Sequence, residues 1–414
     1  MRRALGLLVF SSLLGACGSC AKDDPVKTMP APDAAPVALA EVLPRCRGEA
    51  NRLPIGEGSV VGDVAVSEAG LAIGVVRSEG GRRVAALLRS GLDLADPRTI
   101  DLGPSLGDDP PPMPRFHGGA AYALWLERQL ADAGPRIRTL KVSRIGDDGK
   151  PAVVAAVEQQ ADESTAFDVA WSDDAGLATW DEDAPNKPDA SYPSLSERGF
   201  VKVQSLTAGA HPRVASPESS DADSPQLVAR RGGGFWLAWL ARRVEEAPSG
   251  VEGPGEDKSF RWVEAVMLDA KGEAAGPVRR VSSDRGRAVS FDLAVTNGDL
   301  VVVVQDEAAV SEGGGARLLR YLAGANVSAG TDLVDGGVGH ALADVVAAAD
   351  GSRRWLAWSD VAEHAHLTTL GAGLLGGATT LEPAFDGARV LAEGKDGLYV
   401  LAGDKPEIRR FTCH

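Results

Sequence analysis

The sequence predicts an all-β protein, and three observations point to that class. Its 414 residues include 49 glycines and 25 prolines, a usage that favours many turns between short strands. Hydrophobic residues make up 44% of the chain, which excludes a wholly disordered protein. Apolar residues do not recur at helical spacing over any long segment, which disfavours a helical bundle.

The N-terminal segment predicts export and a lipid anchor. Arg2 and Arg3 precede an uncharged, mostly apolar run, Ala4 to Ala16, which is shorter than the roughly 20 residues that span a bilayer. The run ends in Leu14-Gly15-Ala16-Cys17, which resembles the lipobox of bacterial lipoproteins. The resemblance implies a signal peptide over residues 1–16, cleavage before Cys17 and lipid attachment to Cys17. The alternative is an ordinary secretory signal in which the cysteine is incidental.

The residues after Cys17 predict an outer-membrane destination and a tether. Position 18 is Gly18 rather than the Asp that favours inner-membrane retention in enteric bacteria, so the outer membrane is the expected site. Residues 17–45 are rich in Pro and Ala, a composition that predicts an extended linker. Residues 46–414 then form the predicted β domain, and none of them is predicted to cross a membrane as a helix.

An internal repeat organises this domain. Phe235 to Trp239 and Arg354 to Trp358 share the pattern Trp-Leu-Ala-Trp, and each follows a glycine turn. Turns of this kind recur about every 50 residues, which is the spacing of a repeat architecture. The turn glycines are Gly70, Gly119, Gly176, Gly234, Gly298, Gly351 and Gly397.

Each unit has the pattern of three or four short strands: a first of small apolar residues, a second with large aromatics, a third and often a fourth. Seven such units resemble a seven-bladed β-propeller, although the blade signatures of the common propeller families are absent. The last unit has only three strands, and residues 51–55 are predicted to supply its fourth strand and to close the ring. The alternative architecture is a pair of β-sandwiches.

The cysteines predict one disulfide bond. Cys46 begins the domain and Cys413 is the penultimate residue, so closure of the last unit by the N-terminal strand would bring them together. An exported protein meets an oxidising compartment, which favours a bond between them. Two unpaired thiols are the alternative, and Cys20 receives no role.

Four aspartates begin the first strands of their units and are the candidate binding residues. They would surround the mouth of the central channel and attract a cation or a basic partner. The alternative is that each caps the adjacent backbone. These residues are Asp63, Asp168, Asp292 and Asp344.

Long loops concentrate on the face of the predicted propeller where these aspartates lie. A rigid scaffold with elaborated loops on one face is a common design for a binding surface, although drift in solvated loops gives the same pattern. The loops are Gly103 to Pro114, Asp183 to Arg198, Ala208 to Pro225, Glu245 to Lys258 and Glu307 to Gly314.

Charge and motifs restrict the chemistry. A net charge of −15 disfavours a nucleic-acid partner, because such a protein needs a basic surface. The sequence lacks a Gly-x-Ser-x-Gly elbow, a phosphate-binding loop and a helix-loop-helix calcium site. His364 and His366 have no evident third ligand, so no metal, cofactor or catalytic residue is predicted. The many acidic residues leave room for a catalytic pair of carboxyl groups of the glycosidase type.

The resulting expectation is a lipid-anchored cell-envelope protein, located in the periplasm or on the cell surface. It would bind through the face that bears the long loops, as a scaffold without enzymatic activity. Its partners would be the membrane, through the lipid, and an envelope protein or polysaccharide. The alternative is a carbohydrate-active hydrolase or lyase that uses carboxylates on that face. A sensor of small ligands is a third interpretation.

Overall fold

A computed structural model gives the architecture of residues 46–413. It describes this range except for residues 106–108, 130–136, 160–165, 184–198, 246–257, 297–298, 308–315, 324–330, 348–353, 361–364, 370–377, 380, 383–387, 395–396 and 403–405. Residues 1–45 and 414, with the predicted signal peptide, lipidation site and tether, therefore lie outside the described residues. In the described part of the chain, no helix is long and apolar enough to cross a membrane.

The described residues form strands joined by turns, which confirms the all-β prediction. In chain order the strands are β1 Cys46–Pro54, β2 Val60–Ser67, β3 Gly70–Glu79, β4 Arg82–Ser90, β5 Arg98–Ser105, β6 Met113–His117, β7 Ala120–Gln129, β8 Ile137–Ile145, β9 Pro151–Gln159, β10 Phe167–Trp171, β11 Gly176–Asp183, β12 Gly199–Ser205, β13 Arg213–Val214, β14 Asp221–Ala229, β15 Phe235–Glu245, β16 Lys258–Leu268, β17 Arg279–Arg280, β18 Ala288–Thr296, β19 Asp299–Asp306, β20 Ala316–Ala323, β21 Thr331–Ala347, β22 Arg354–Asp360, β23 Ala365–Thr369, β24 Ala378–Thr379, β25 Leu381–Glu382, β26 Ala388–Gly394, β27 Gly397–Ala402 and β28 Glu407–Cys413.

The strands form small antiparallel sheets whose strand order follows the sequence. Four sheets have four strands each, namely β2–β5, β6–β9, β10–β13 and β14–β17. A fifth sheet runs from β18 to β24, and the sixth has the order β25-β1-β28-β27-β26. This succession of meanders differs from the pair of β-sandwiches that was the alternative prediction, because a sandwich packs two larger sheets face to face.

The seven-stranded sheet results from one long strand. Strand β21 pairs with β20 from Thr331 to Val338 and with β22 from Val338 to Ala347. The repeat predicted a short first strand of the sixth unit at Asp344 to Ala347 and no strand at residues 331–343. The backbone instead continues as one strand from Thr331 to Ala347, with register shifts in each pairing.

The N-terminal strand pairs with the C-terminal one, as the sequence predicts. Strand β1 runs antiparallel to β28, and Cys46 lies opposite Cys413 while Leu53 lies opposite Ile408. The side chains of Leu53 and Ile408 are buried in a core that also contains Tyr399 of β27.

Buried residues form cores that neighbouring sheets share. Side chains of a strand alternate between its two faces, so one strand can serve two cores. In β15, Trp236 packs toward β18 and β19, whereas Trp239 packs toward β11 and β12. The indole N–H groups of these second strands also find acceptors, as when Trp125 donates to Ser143 Oγ at 3.1 Å. Large aromatics on the second strand therefore bind adjacent sheets together.

The first strands of successive sheets lie side by side. Strand β6 contacts β2 and β10, and β14 contacts β10 and β18. Strand β21 contacts β18 and β26, and β26 contacts β2. Residues that start these strands are consequently brought to a common region, although they are far apart in the sequence.

Candidate functional site

A cavity of about 690 Å³ opens among the first strands of five sheets. Its wall includes three of the four predicted aspartates, each from a different sheet: Asp63 of β2, Asp168 of β10 and Asp292 of β18. The fourth, Asp344, lies in β21, and its side chain is outside the described residues. The topology thus gathers three acidic side chains at one site.

Arg115 of β6 connects two of these aspartates. Its Nη1 donates to Asp63 Oδ2, and its Nη2 donates to Asp168 Oδ1 at 3.0 Å. The three residues stand on three successive sheets, so the guanidinium group joins the sheets as well as the charges. Arg115 is not among the residues predicted from the sequence, because its strand lacks the Asp-Val-Ala pattern of the repeat.

Asp168 is the most enclosed of the three carboxylates, with 5% of its surface exposed. It accepts hydrogen bonds from the backbone N–H of Val169 at 2.6 Å and from that of Leu227 at 2.7 Å. Burial raises the pKa of Asp168 above its usual value, because it penalises the charged form. The charge of Arg115 and the two backbone donors act in the opposite direction.

The three aspartates share one local contact. Each accepts the backbone N–H of the next residue through Oδ1, at 2.9 Å from Val64, 2.6 Å from Val169 and 2.7 Å from Leu293. This is the bond to neighbouring backbone that the capping interpretation expects. The same residues also line the cavity, so the bond to the local backbone does not remove them from its wall.

Strand β2 reaches the cavity through a register shift. Its pairing with β3 is interrupted between Val61 and Val64, which places Gly62 and Asp63 in the irregular segment. Bulges of this kind redirect side chains and are common beside functional sites.

Proline packing forms part of the wall. A Cβ on Gly62 would lie 2.7 Å from Cβ of Pro111, and a Cβ on Gly74 would lie 1.5 Å from the carbonyl oxygen of Pro112. Glycine is therefore needed at both positions for the proline segment to lie against β2 and β3.

Aromatic residues form another part of the wall. Trp171, at the end of β10, lines the cavity together with Phe116 of β6. The ring centroid of Trp171 lies 4.6 Å from that of Tyr122 and 6.0 Å from that of His117. The site thus combines carboxylates, one guanidinium group and aromatic surface.

The acidic and basic side chains on the described wall are three aspartates and one arginine, so acidic groups outnumber basic ones. Across the described part of the chain, no cluster of three or more His, Cys, Asp or Glu residues is arranged to hold a metal ion. The chemistry that these residues offer is acid–base work by carboxylates and hydrogen bonding to hydroxyl groups.

No family model matches the chain, and no curated protein sequence is similar to it. Solved structures with a similar fold include the polysaccharide lyase Uly1, at 12% identity and a TM-score of 0.52, with 84% of this chain and 89% of that chain covered. The β-propeller domain of the Trilobed protease from Pyrococcus furiosus has a TM-score of 0.49 at 11% identity, with coverages of 87% and 94%. An α-L-arabinanase from Penicillium chrysogenum has a TM-score of 0.44 at 11% identity, with coverages of 80% and 93%.

The comparisons correct one expectation and refine another. The expectation that the protein is not an enzyme is contradicted, because one solved structure with a similar fold is that of a polysaccharide lyase. For the architecture, the small antiparallel sheets agree with the predicted all-β class.

Proposed function

We propose that the protein is a cell-envelope enzyme that hydrolyses a polysaccharide in the cavity among its first strands. The observation that carries this proposal is the meeting of Asp63, Asp168 and Asp292 in one cavity, with Arg115 between the first two. Enzymes that cleave glycosidic bonds commonly use a pair of carboxyl groups in different environments. The similarity in fold to a polysaccharide lyase supports a polysaccharide as the class of substrate.

In the proposed reaction the two carboxyl groups have different tasks. Asp168 is buried and its pKa is raised, which suits the acid that protonates the leaving oxygen. Asp63 has a more exposed side chain and contacts the guanidinium group of Arg115. This environment suits the second carboxylate of the pair, which activates water or attacks the sugar. Asp292 lies on the same wall and would accept hydrogen bonds from sugar hydroxyls.

The experiment that tests this function measures product release from a panel of polysaccharides. New reducing ends indicate hydrolysis, and unsaturated ends that absorb ultraviolet light indicate elimination by a lyase. We expect hydrolysis to fall at least about 100-fold in Asp168→Asn and Asp63→Asn, which is the contribution typical of acid–base groups. Asp173→Asn, at an exposed turn residue, is the matched control. Full activity in both cavity variants would overturn the proposal.

The architecture that we propose is a seven-bladed propeller closed by β1. It is supported by the side-by-side order of the first strands and by the pairing of β1 with β28. In this arrangement β21 supplies the outermost strand of one blade and the innermost strand of the next. An experimental structure of the domain tests the blade number.

A disulfide bond between Cys46 and Cys413 is part of the same proposal. The two residues are direct partners in the antiparallel pairing, and Cys46 is buried. The loop-entropy estimate for so long a closure is about 5 kcal/mol as an upper value. Peptide mapping without reductant should yield the linked pair of peptides, and two free thiols in the exported protein would contradict it.

We also propose that Cys17 carries lipid and that residues 17–45 tether the domain to the outer membrane, with its body in the periplasm or on the cell surface. The support is the lipobox pattern and the Pro-rich composition that follows it. Metabolic labelling with a fatty acid should mark the wild-type protein and fail to mark Cys17→Ser. Labelling that persists in this variant would contradict the anchor.

A further inference from the structure

Strand β10 departs from the repeat at its last residue. Each repeated aspartate opens a segment of four residues. The fourth residue is Val66 in β2, Val295 in β18 and Ala347 in β21, but it is Trp171 in β10. Small aliphatic residues therefore suffice at this position in other sheets. An indole here enlarges the aromatic wall of the cavity beyond what the repeat requires.

The neighbours of Trp171 hold its indole in a defined place. A Cβ on Gly176, its strand partner, would lie 2.7 Å from the indole Nε1, so the ring rests directly against that glycine. His117 stacks near it with an interplanar angle of 17°, and Tyr122 packs at a tilt of 39°. The side chain stays partly exposed and forms part of the cavity wall. A pre-positioned aromatic surface loses little entropy when a ligand packs on it.

The charges on the cavity wall indicate whether an acidic or an uncharged glycan would bind there. Three acidic side chains and one guanidinium line the described wall, and that guanidinium is already bonded to Asp63 and Asp168. A glycan with carboxyl groups would meet like charges at short range, which costs binding energy. Elimination by a lyase removes a proton beside a uronate carboxyl group, and a net negative wall would repel that group. Hydrolysis of an uncharged chain avoids both costs.

We infer that Trp171 is the platform on which a sugar ring of an uncharged polysaccharide stacks, beside the carboxylates that cleave it. The inference rests on the proposed function and adds the class of substrate and the residue that selects it. Sugar rings present C–H groups on their faces, and these pack on an indole while the hydroxyl groups at the edges bond to carboxylates. Such a site is apolar on one wall and polar on another, as small-molecule sites commonly are.

The test is equilibrium binding to the full-length protein, measured by calorimetry, which reports binding rather than turnover. The probes are neutral hexasaccharides of glucose, xylose and arabinose, with hexagalacturonate as the acidic comparison. We expect at least one neutral probe to bind and the acidic probe to bind at least about tenfold more weakly. Trp171→Val, which installs the residue of β2 and β18, should weaken the neutral probe about tenfold, the size of a typical aromatic anchor. Trp171→Phe should retain most of the affinity.

The outcomes distinguish failure of the Trp171 inference from failure of the proposed hydrolysis. Tighter binding of hexagalacturonate, equal binding by Trp171→Val, or no binding of any neutral probe would overturn the inference. Binding of a neutral probe without release of product would instead overturn the proposed hydrolysis and leave the platform standing. Thermal melting of Trp171→Val checks folding, and if that variant melts early, the comparison between Trp171→Phe and the wild type carries the test.

Discussion

Asp168 of β10 accepts a hydrogen bond of 2.7 Å from the backbone N–H of Leu227 in β14. This bond joins neighbouring sheets, and the contact of Asp168 with Arg115 extends the connection to β6. One carboxyl group thus holds three sheets together at the wall of the cavity. Stability and function depend on the same residue, so experiments must separate the two.

Loss of the cation between the aspartates should destabilise the fold. Arg115→Met leaves the buried carboxylate of Asp168 without its ionic partner, and breaking such a pair costs about 3 kcal/mol in the free energy of unfolding. Urea denaturation measures this change. The matched control is Lys150→Met, since Lys150 pairs with Asp148 at an exposed turn and we expect no measurable effect there. Equal stability of the two variants would contradict the prediction.

Asp223 of β14 should make stability depend on pH. Burial raises its pKa above the ordinary value of 3.8, so the folded state holds a proton that the unfolded state releases. The wild type therefore loses stability from this group as pH rises from 3.8 through the raised pKa. Asp223→Asn removes this titration. The free energy of unfolding of the variant minus that of the wild type should therefore increase as the pH rises from about 3 to about 7.

Denaturation of both proteins across this range measures the difference. Asp173→Asn at an exposed position is the control, and its stability relative to the wild type should stay constant. A constant difference for Asp223→Asn as well would count against the prediction.

The close approach of the proline segment makes Gly74 sensitive to substitution. In Gly74→Ala the new methyl group would lie 1.5 Å from the carbonyl oxygen of Pro112, so the backbone there must move. We expect a loss of about 2 kcal/mol or more, in the range of overpacked cores, and weaker glycan binding. Gly56→Ala is the control, because its methyl group would meet only Ser59 Oγ at 3.8 Å. Thermal melting of the two variants measures this loss of stability. A melting temperature of Gly74→Ala equal to that of the wild type would contradict the prediction, since the proline segment could then move without loss of stability.

Glu264 of β16 should matter for the packing of two tryptophans. It accepts the indole N–H of Trp239 at 3.1 Å, that of Trp262 at 3.0 Å and the hydroxyl of Ser220 at 2.8 Å. Glu264→Leu leaves these donors without their acceptor, which costs about 1–3 kcal/mol for each donor that stays buried. Urea denaturation followed by tryptophan fluorescence measures the loss. Glu273→Leu at an exposed position is the control, and similar losses in both would refute the role of the shared acceptor.

The repeat in the sequence predicted much of the fold because it depends on local patterns. Turn glycines and alternating apolar residues determine where a strand begins and which face it buries. The same reasoning paired the N-terminal strand with β28 and placed Cys46 opposite Cys413. It did not predict the length of β21, where the backbone continues as one strand through Asp335, Gly336 and Gly337 although these residues favour a turn.

The site was predicted only in part, for a physical reason. Asp63, Asp168 and Asp292 repeat, so a search for repeats finds them, and the contacts among first strands bring them together. Arg115 lies on a strand without the repeated aspartate, and Trp171 stands where β2 and β18 have valine, so a search for similarity passes over both. Their contacts depend on packing between sheets that are far apart in sequence. The available signal was the departure of a single unit from its own repeat.

The pairing of β1 with β28 sets the order in which the chain can fold. The first strand of the domain, β1, stays without its neighbour until the last strand, β28, has joined it. The intervening sheets form between strands adjacent in sequence and can assemble one after another, whereas this final pairing must close a loop of the whole domain. A chain in which β28 has not yet joined therefore has an open edge on β27 and an unpaired first strand, both of which favour aggregation.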